Sequence, residues 1–167
     1  ATSQPIASQV GIDVLKAGGN AVDAAVTMAS TLGVVEPMST GIGGDIFALI
    51  WDPKTEKISS FNGSGTSSRN SNPNELLDKG FSSIPTEGKG GAYSVSVPGS
   101  VDGWEQILKK FGTISLSESL QPGIKLAEEG YPVSELISWA WAENESKLKF
   151  RESGSELLNK NNKDPVE

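Results

Sequence analysis

The segment AGGNAVDAAVTMASTLGVVEP, residues 17–37, limits the possible folds more than any other part of the chain. Asn20 follows two glycines and precedes Asp23 by three positions, the arrangement in which an N-cap side chain and a third-position carboxylate close a helix start on each other. From there to Glu36–Pro37 the residues are apolar or small on nearly every face, and a helix of that kind has to be buried. Upstream, Ser3 is expected to cap a first helix with Pro5 in its opening turn and Ile6, Val10, Val14 and Leu15 at helical spacing. Gly18 and Gly19 stop it. The two helices make a hairpin packed through Ala24, Ala25 and Ala29, and something apolar must cover its other side, a sheet being the obvious candidate.

After the turn-rich PMSTGIGGD, the run IFALIWD reads as a buried strand, DPKTEK as a hairpin loop and KISSFNG as the partner strand. Residues 66–91 read as a long polar connection holding one short helix, NPNELLDKG. Tyr93–Val97 is expected as a third strand, followed after Pro98-Gly99 by an amphipathic helix with Val101, Trp104, Ile107, Leu108 and Phe111 on one face. Ser115 or Ser117 offers a cap for ESLQPGIKLAEEG, where Pro122 should kink or delay the helix, and Ser134 caps a last helix. The expected class is α/β (α+β), with about five helices, at least three strands and no internal repeat.

The 167 residues suffice for one domain with a real core, at about 100 to 200 residues per domain. With neither cysteine nor histidine, disulfides, thiolate nucleophiles, Ser-His-Asp triads and the commonest zinc ligands are excluded within the chain. A net charge of -7 argues against nucleic acid as a partner. No apolar run reaches the roughly 18 residues of a membrane-spanning helix. The start ATSQPIASQ lacks the basic and apolar regions of a signal peptide and looks trimmed, which leaves the compartment open.

Several motifs invite chemistry. GIGGDI, residues 41–46, resembles a phosphate loop, but its glycines follow a helix and open a strand, the reverse of a dinucleotide fingerprint, so a tight structural turn is the better reading. Glu36, Asp45 and Asp52 match no metal-loop spacing and read as solvated or capping carboxylates; no metal and no cofactor are implied. Trp139 and Trp141 are two apart and belong to core or interface. FNGSGTSSRN, residues 61–70, is either a surface loop or a substrate-facing one, with Asn62, Gly63, Ser64 and Arg69 as its candidate ligand-binding groups. Nothing in the chain supplies an activated nucleophile, so no catalytic residue is expected in it.

Taken in order, AGGNAVDAAVTMASTLGVVEPMSTGIGGD, YSVSVPGSVDGWEQILKKFG and SLQPGIKLAEEGYPVS resemble the large-subunit part of the γ-glutamyltranspeptidase family over about residues 4 to 136. The resemblance implies an N-terminal-nucleophile hydrolase fold, a four-layer αββα sandwich made as a precursor that cuts itself into large and small subunits. Residues 1–150 would be the N-terminal part of the large subunit, and 151–167 a polar tail leading to an absent remainder. The partner would be a small subunit whose N-terminal threonine attacks a γ-glutamyl or glutaryl-type amide, its own α-amino group serving as base. Where family members with transpeptidase activity read FRETAP, with the arginine on the substrate α-carboxylate, this chain has Asn62, as in FNGSG, which resembles the cephalosporin acylase-like branch. Arg69, seven residues on, is the alternative source of a cation. The GIGGG turn of the family reads GIGGD here, with Asp45 near the sheet entrance. A reading from another class stands beside this one: a nonenzymatic α/β module that binds a small ligand or docks a partner.

Overall fold

The computed structural model describes residues 1–86, 88–149 and 154, and divides into two compact units. The first joins Ala1–Gly41 to the residues from Ser117 on, and the second is Ile42–Leu116. Among the described residues there are six α-helices, one 3-10 helix and two strands. Most of the predicted 151–167 tail lies outside the described residues.

In the first unit, α1 (Pro5–Lys16) and α2 (Ala21–Val35) form the expected hairpin. Ser3 is not the cap of α1. Proline at the first helical position makes the preceding residue the cap, and buried Gln4 accepts from Ile6 N at 2.5 Å and Ala7 N at 3.1 Å. Ser3 instead donates to Glu36 Oε2 at 2.5 Å. Gly18, at φ +97°, lets the chain leave α1 by a left-handed residue. The capping box of α2 is present: Asn20 Oδ1 accepts from Val22 N and Asp23 N at 2.8 and 3.0 Å, and Asn20 N donates to Asp23 Oδ2 at 2.8 Å. The helices touch where Gly11 meets Met28, with no room for a Cβ on Gly11. Of the three small residues predicted at the contact, Ala24 is buried, Ala29 is half-buried and Ala25 is exposed.

What covers α2 within this unit is a helix, not a sheet. Helix α5 (Leu116–Glu129) lies over it at Gly123, which faces Ser30, Thr31 and Val34. Its Ser119 carbonyl accepts from Ser30 Oγ at 3.2 Å. The buried hydroxyls of α2 are otherwise satisfied by its own backbone, Thr27 on Asp23 O and Thr31 on Thr27 O, both at 2.7 Å. Among the described residues no buried side-chain nitrogen or oxygen lacks a hydrogen-bond partner. Helix α5 runs on through Pro122 without a break in its span. Tyr131 donates to Val34 O at 3.1 Å, and burial pushes its hydroxyl pKa up. Helix α6 (Glu135–Lys149) follows Ser134, whose hydroxyl accepts from Ile137 N at 3.4 Å; its Trp139 is exposed and Trp141 half-buried.

In the second unit, β1 (Phe47–Asp52) pairs antiparallel with β2 (Lys57–Asn62), Phe47 opposite Asn62, Leu49 opposite Ser60 and Trp51 opposite Ile58. The connecting turn is fixed by Asp52, which accepts from Lys54 N and Thr55 Oγ1, both at 2.9 Å; the first of these bonds does most to hold its carboxyl below the ordinary range. The face bearing Ala48, Ile50 and Phe61 is half-buried, and α4 (Ser100–Phe111) fits close to Ile46 and Phe61 only because Gly103 lacks a side chain. The opposite face is open. Phe47, Leu49, Trp51 and Ile58 are 57–79 % exposed, so IFALIWD is not the fully buried strand its apolar run predicts.

The short helix predicted in the long connection is α3 (Pro73–Asp78), capped by Asn72 Oδ1 on Asn74 N at 3.0 Å. The predicted strand at Tyr93–Val97 is not formed: Gly88–Ser94 is a 3-10 helix, and residues 95–99 are irregular. A single bond, Val97 N to Thr66 O at 2.9 Å, is all the ladder this segment makes before Pro98, which has no N–H to extend it.

Candidate functional site

Three of the four candidate ligand-binding residues lie together where β2 ends. Main-chain bonds between Ile46 and Gly63, at 2.7 and 3.5 Å, carry the pairing one residue beyond the strands. Asn62 then folds its Oδ1 back onto Ser64 N at 2.9 Å, an Asx turn that leaves the amide NH2 of Asn62 as a donor. Asn62 and Ser64 are exposed and Gly63 is half-buried. A shallow concavity of about 350 Å³ opens on this side of the hairpin, lined by Phe47, Ala48, Leu49, Ser60, Phe61 and Asn62. Its walls are apolar apart from the Ser60 hydroxyl and the Asn62 amide.

The loop is held by unusually close backbone crossings. At Gly65 a Cβ would overlap the Val97 carbonyl, and at Gly99 it would overlap the Gly63 carbonyl. Gly99 N and Ser100 N both donate to Gly44 O, at 3.1 and 3.0 Å, so GIGGDI works as the structural turn its glycines predict. Asp45 accepts from Gly65 N at 2.9 Å and Ser96 Oγ at 3.1 Å through the same Oδ1. All three carboxylates weighed for a metal thus accept hydrogen bonds from the protein: Glu36 from Ser3, Asp52 in its turn, and Asp45 here. Among the described residues no three metal-ligating side chains come together.

Arg69 takes no part in this cluster. It lies exposed in a turn and stands in sequence between Ser67 and Ser71, which line a second pocket of about 420 Å³ walled by Leu76, Leu77, Phe81, Ile84 and Tyr93. Beside that pocket Lys79 donates to Glu75 Oε1 at 2.5 Å and to Tyr93 Oη at 2.6 Å, and these bonds, Glu75 first, hold its ammonium pKa far above the ordinary value. The residues that sequence reasoning undervalued are Asp45, Ser96, Gly65 and Gly99. Their partners lie 20 or more positions away, and only the aspartate at the end of GIGGD gave a local sign of them.

Similarity to solved structures along nearly the whole chain puts its fold in the N-terminal-nucleophile hydrolase class, and comparison with known proteins narrows it further. The chain belongs to the γ-glutamyltranspeptidase family, whose pattern matches residues 7–167. It is 40 % identical over 149 residues to the glutathione hydrolase proenzyme of Bacillus subtilis, covering 89 % of this chain and 25 % of that protein. The γ-glutamyltranspeptidase structure from Helicobacter pylori matches 98 % of this chain and 47 % of its own, at 34 % identity and a TM-score of 0.89. Cephalosporin acylase from Bacillus halodurans matches 89 % of this chain and 27 % of its own, at 42 % identity and a TM-score of 0.81. The chain therefore spans about a quarter of the curated relative's length.

Proposed function

We propose that this chain is the N-terminal part of the large subunit of an amidohydrolase or acyltransferase that cleaves glutaryl-type amides in preference to γ-glutamyl ones. Residues 1–150 form that part, and 151–167 lead into its remainder. The nucleophile is the N-terminal threonine of a small subunit cut from the same precursor. Its α-amino group takes the hydroxyl proton, the hydroxyl oxygen attacks the amide carbonyl, the amine leaves with a proton, and the acyl ester passes to water or another amine.

The observation that carries the substrate preference is Asn62. At the position where family members with transpeptidase activity have an arginine, the exposed end of β2 presents an amide NH2 and no fixed cation. A charge-assisted pair of the kind an arginine makes is worth about 1.5–3 kcal/mol, so an acyl group with an α-amino acid head loses its anchor. A glutaryl tail carries the same carboxylate, to which the Asn62 NH2 can donate, but it has no ammonium group to strip of water. The open hairpin face supports the rest, because four large apolar side chains on a two-stranded sheet call for cover from further polypeptide.

The test is to express the precursor, confirm a threonine-initiated second polypeptide by mass, and compare glutaryl and γ-glutamyl p-nitroanilides. Glutaryl cleavage should be faster, and Asn62→Arg, which restores a cation for the carboxylate common to both tails, should raise kcat/KM for both substrates by about ten- to a hundredfold. A wild-type preference for γ-glutamyl substrate would defeat the assignment of Asn62. A chain that folds alone and is inert to both would favour the nonenzymatic module.

A further inference from the structure

We infer that Asp45 is the positioning residue of this acyl-facing loop, a role that rests on the reading of Asn62 given above. The loop from Asn62 to Thr66 has two firm ends. Gly63 is bound to Ile46 through the main chain, and Thr66 is bound to Val97. Between them Ser64 N donates to Asn62 Oδ1 and Gly65 N to Asp45 Oδ1, beside one long bond from Ser64 Oγ to Gly65 O at 3.5 Å. The Asp45 bond spans 20 residues, and the same oxygen takes the hydroxyl of Ser96, 51 residues away. One carboxylate oxygen thus ties the loop to the strand entrance and to the 96–99 segment together.

The consequence for Asn62 follows from the chain. With Gly65 N held, the Ser64–Gly65 peptide cannot rotate, Ser64 N stays on Asn62 Oδ1, and the Asn62 amide keeps its NH2 outward as a donor. Without Asp45, water can satisfy the exposed Gly65 N–H at little cost to stability, since the Gly63, Thr66 and Gly44 anchors persist. The Asx turn then loosens and the donor loses its fixed direction. Asp45 acts through Asn62 and not on the reacting atoms.

The experiment uses the mature two-subunit enzyme and glutaryl p-nitroanilide. Asp45→Ala should raise KM about three- to tenfold, the worth of one lost hydrogen bond, with kcat within about twofold. Asp45→Asn keeps an Oδ1 acceptor and should restore KM to within about twofold of wild type. In an Asn62→Ala background, which itself raises KM, Asp45→Ala should add nothing. An unchanged KM in Asp45→Ala beside a raised KM in Asn62→Ala overturns the role of Asp45 alone. So does a fall in kcat that Asp45→Asn fails to rescue. An unchanged KM in Asn62→Ala removes the acyl-site reading on which both rest. Exchange of the Gly65 amide, faster in Asp45→Ala while the Gly63 amide stays protected, checks the bond directly.

Discussion

Helix α2 and strand β1 carry comparably apolar stretches, and both read from the sequence as segments that must be buried. The helix is: its Thr27, Thr31 and Val35 have no exposed surface, because α1 and α5 close over it and its own carbonyls take the hydroxyl protons. The strand is covered on one side only, with Leu49 at 79 % exposure on the other. Continuous apolarity therefore states that a segment needs cover, and says nothing of whether the cover is in the same stretch of chain. The helical unit finds it within itself. The hairpin unit spends its internal packing on fixing a loop, through Gly65, Gly99 and Gly103, and leaves its apolar face for something else.

The largest effect should come from Gly65→Ala, which drives a methyl group into the Val97 carbonyl. The expected loss is at least about 3 kcal/mol, the upper end for overpacking, read as a lower urea midpoint in the fluorescence of buried Trp104. An intact midpoint would show that the hairpin unit is as adaptable as a surface loop. Next is Asn20→Ala, which removes the α2 cap and should cost about 1 kcal/mol, seen by the helical circular dichroism signal of the first unit. The smallest is Leu49→Lys in the free chain, expected within about 0.5 kcal/mol of wild type. In the processed enzyme the same change should prevent subunit assembly on a sizing column. A large loss already in the free chain would mean that the face is covered from within.

Much of this was written locally. The α2 capping box needs only Asn20 and Asp23, three apart, and the turn at Gly18-Gly19 needs only the glycines, so the helix hairpin was readable from short patterns. The hairpin strands were readable from the apolar run IFALIWD and from DPKTEK between it and KISSFNG. The cap of α1 was misread by one position because proline fixes where the helix starts, which weighs more than the preference for serine. The strand expected at Tyr93–Val97 was misread because strands depend on a partner, and Thr66 offers one bond rather than a ladder. The site was half legible. Asn62 to Ser64 are adjacent in sequence and stay together, whereas the Asp45 clamp joins residues whose proximity no periodicity reveals.

The open hairpin face also sets how the free chain behaves in a tube. At neutral pH a net charge of -7 keeps copies apart despite four exposed apolar side chains on one small sheet. Near the sequence isoelectric point of 4.7 that repulsion vanishes while the attraction between faces does not. The free chain is therefore least soluble in mild acid, salt at neutral pH narrows its margin by screening, and dilute, slightly alkaline buffer is where it stays dispersed.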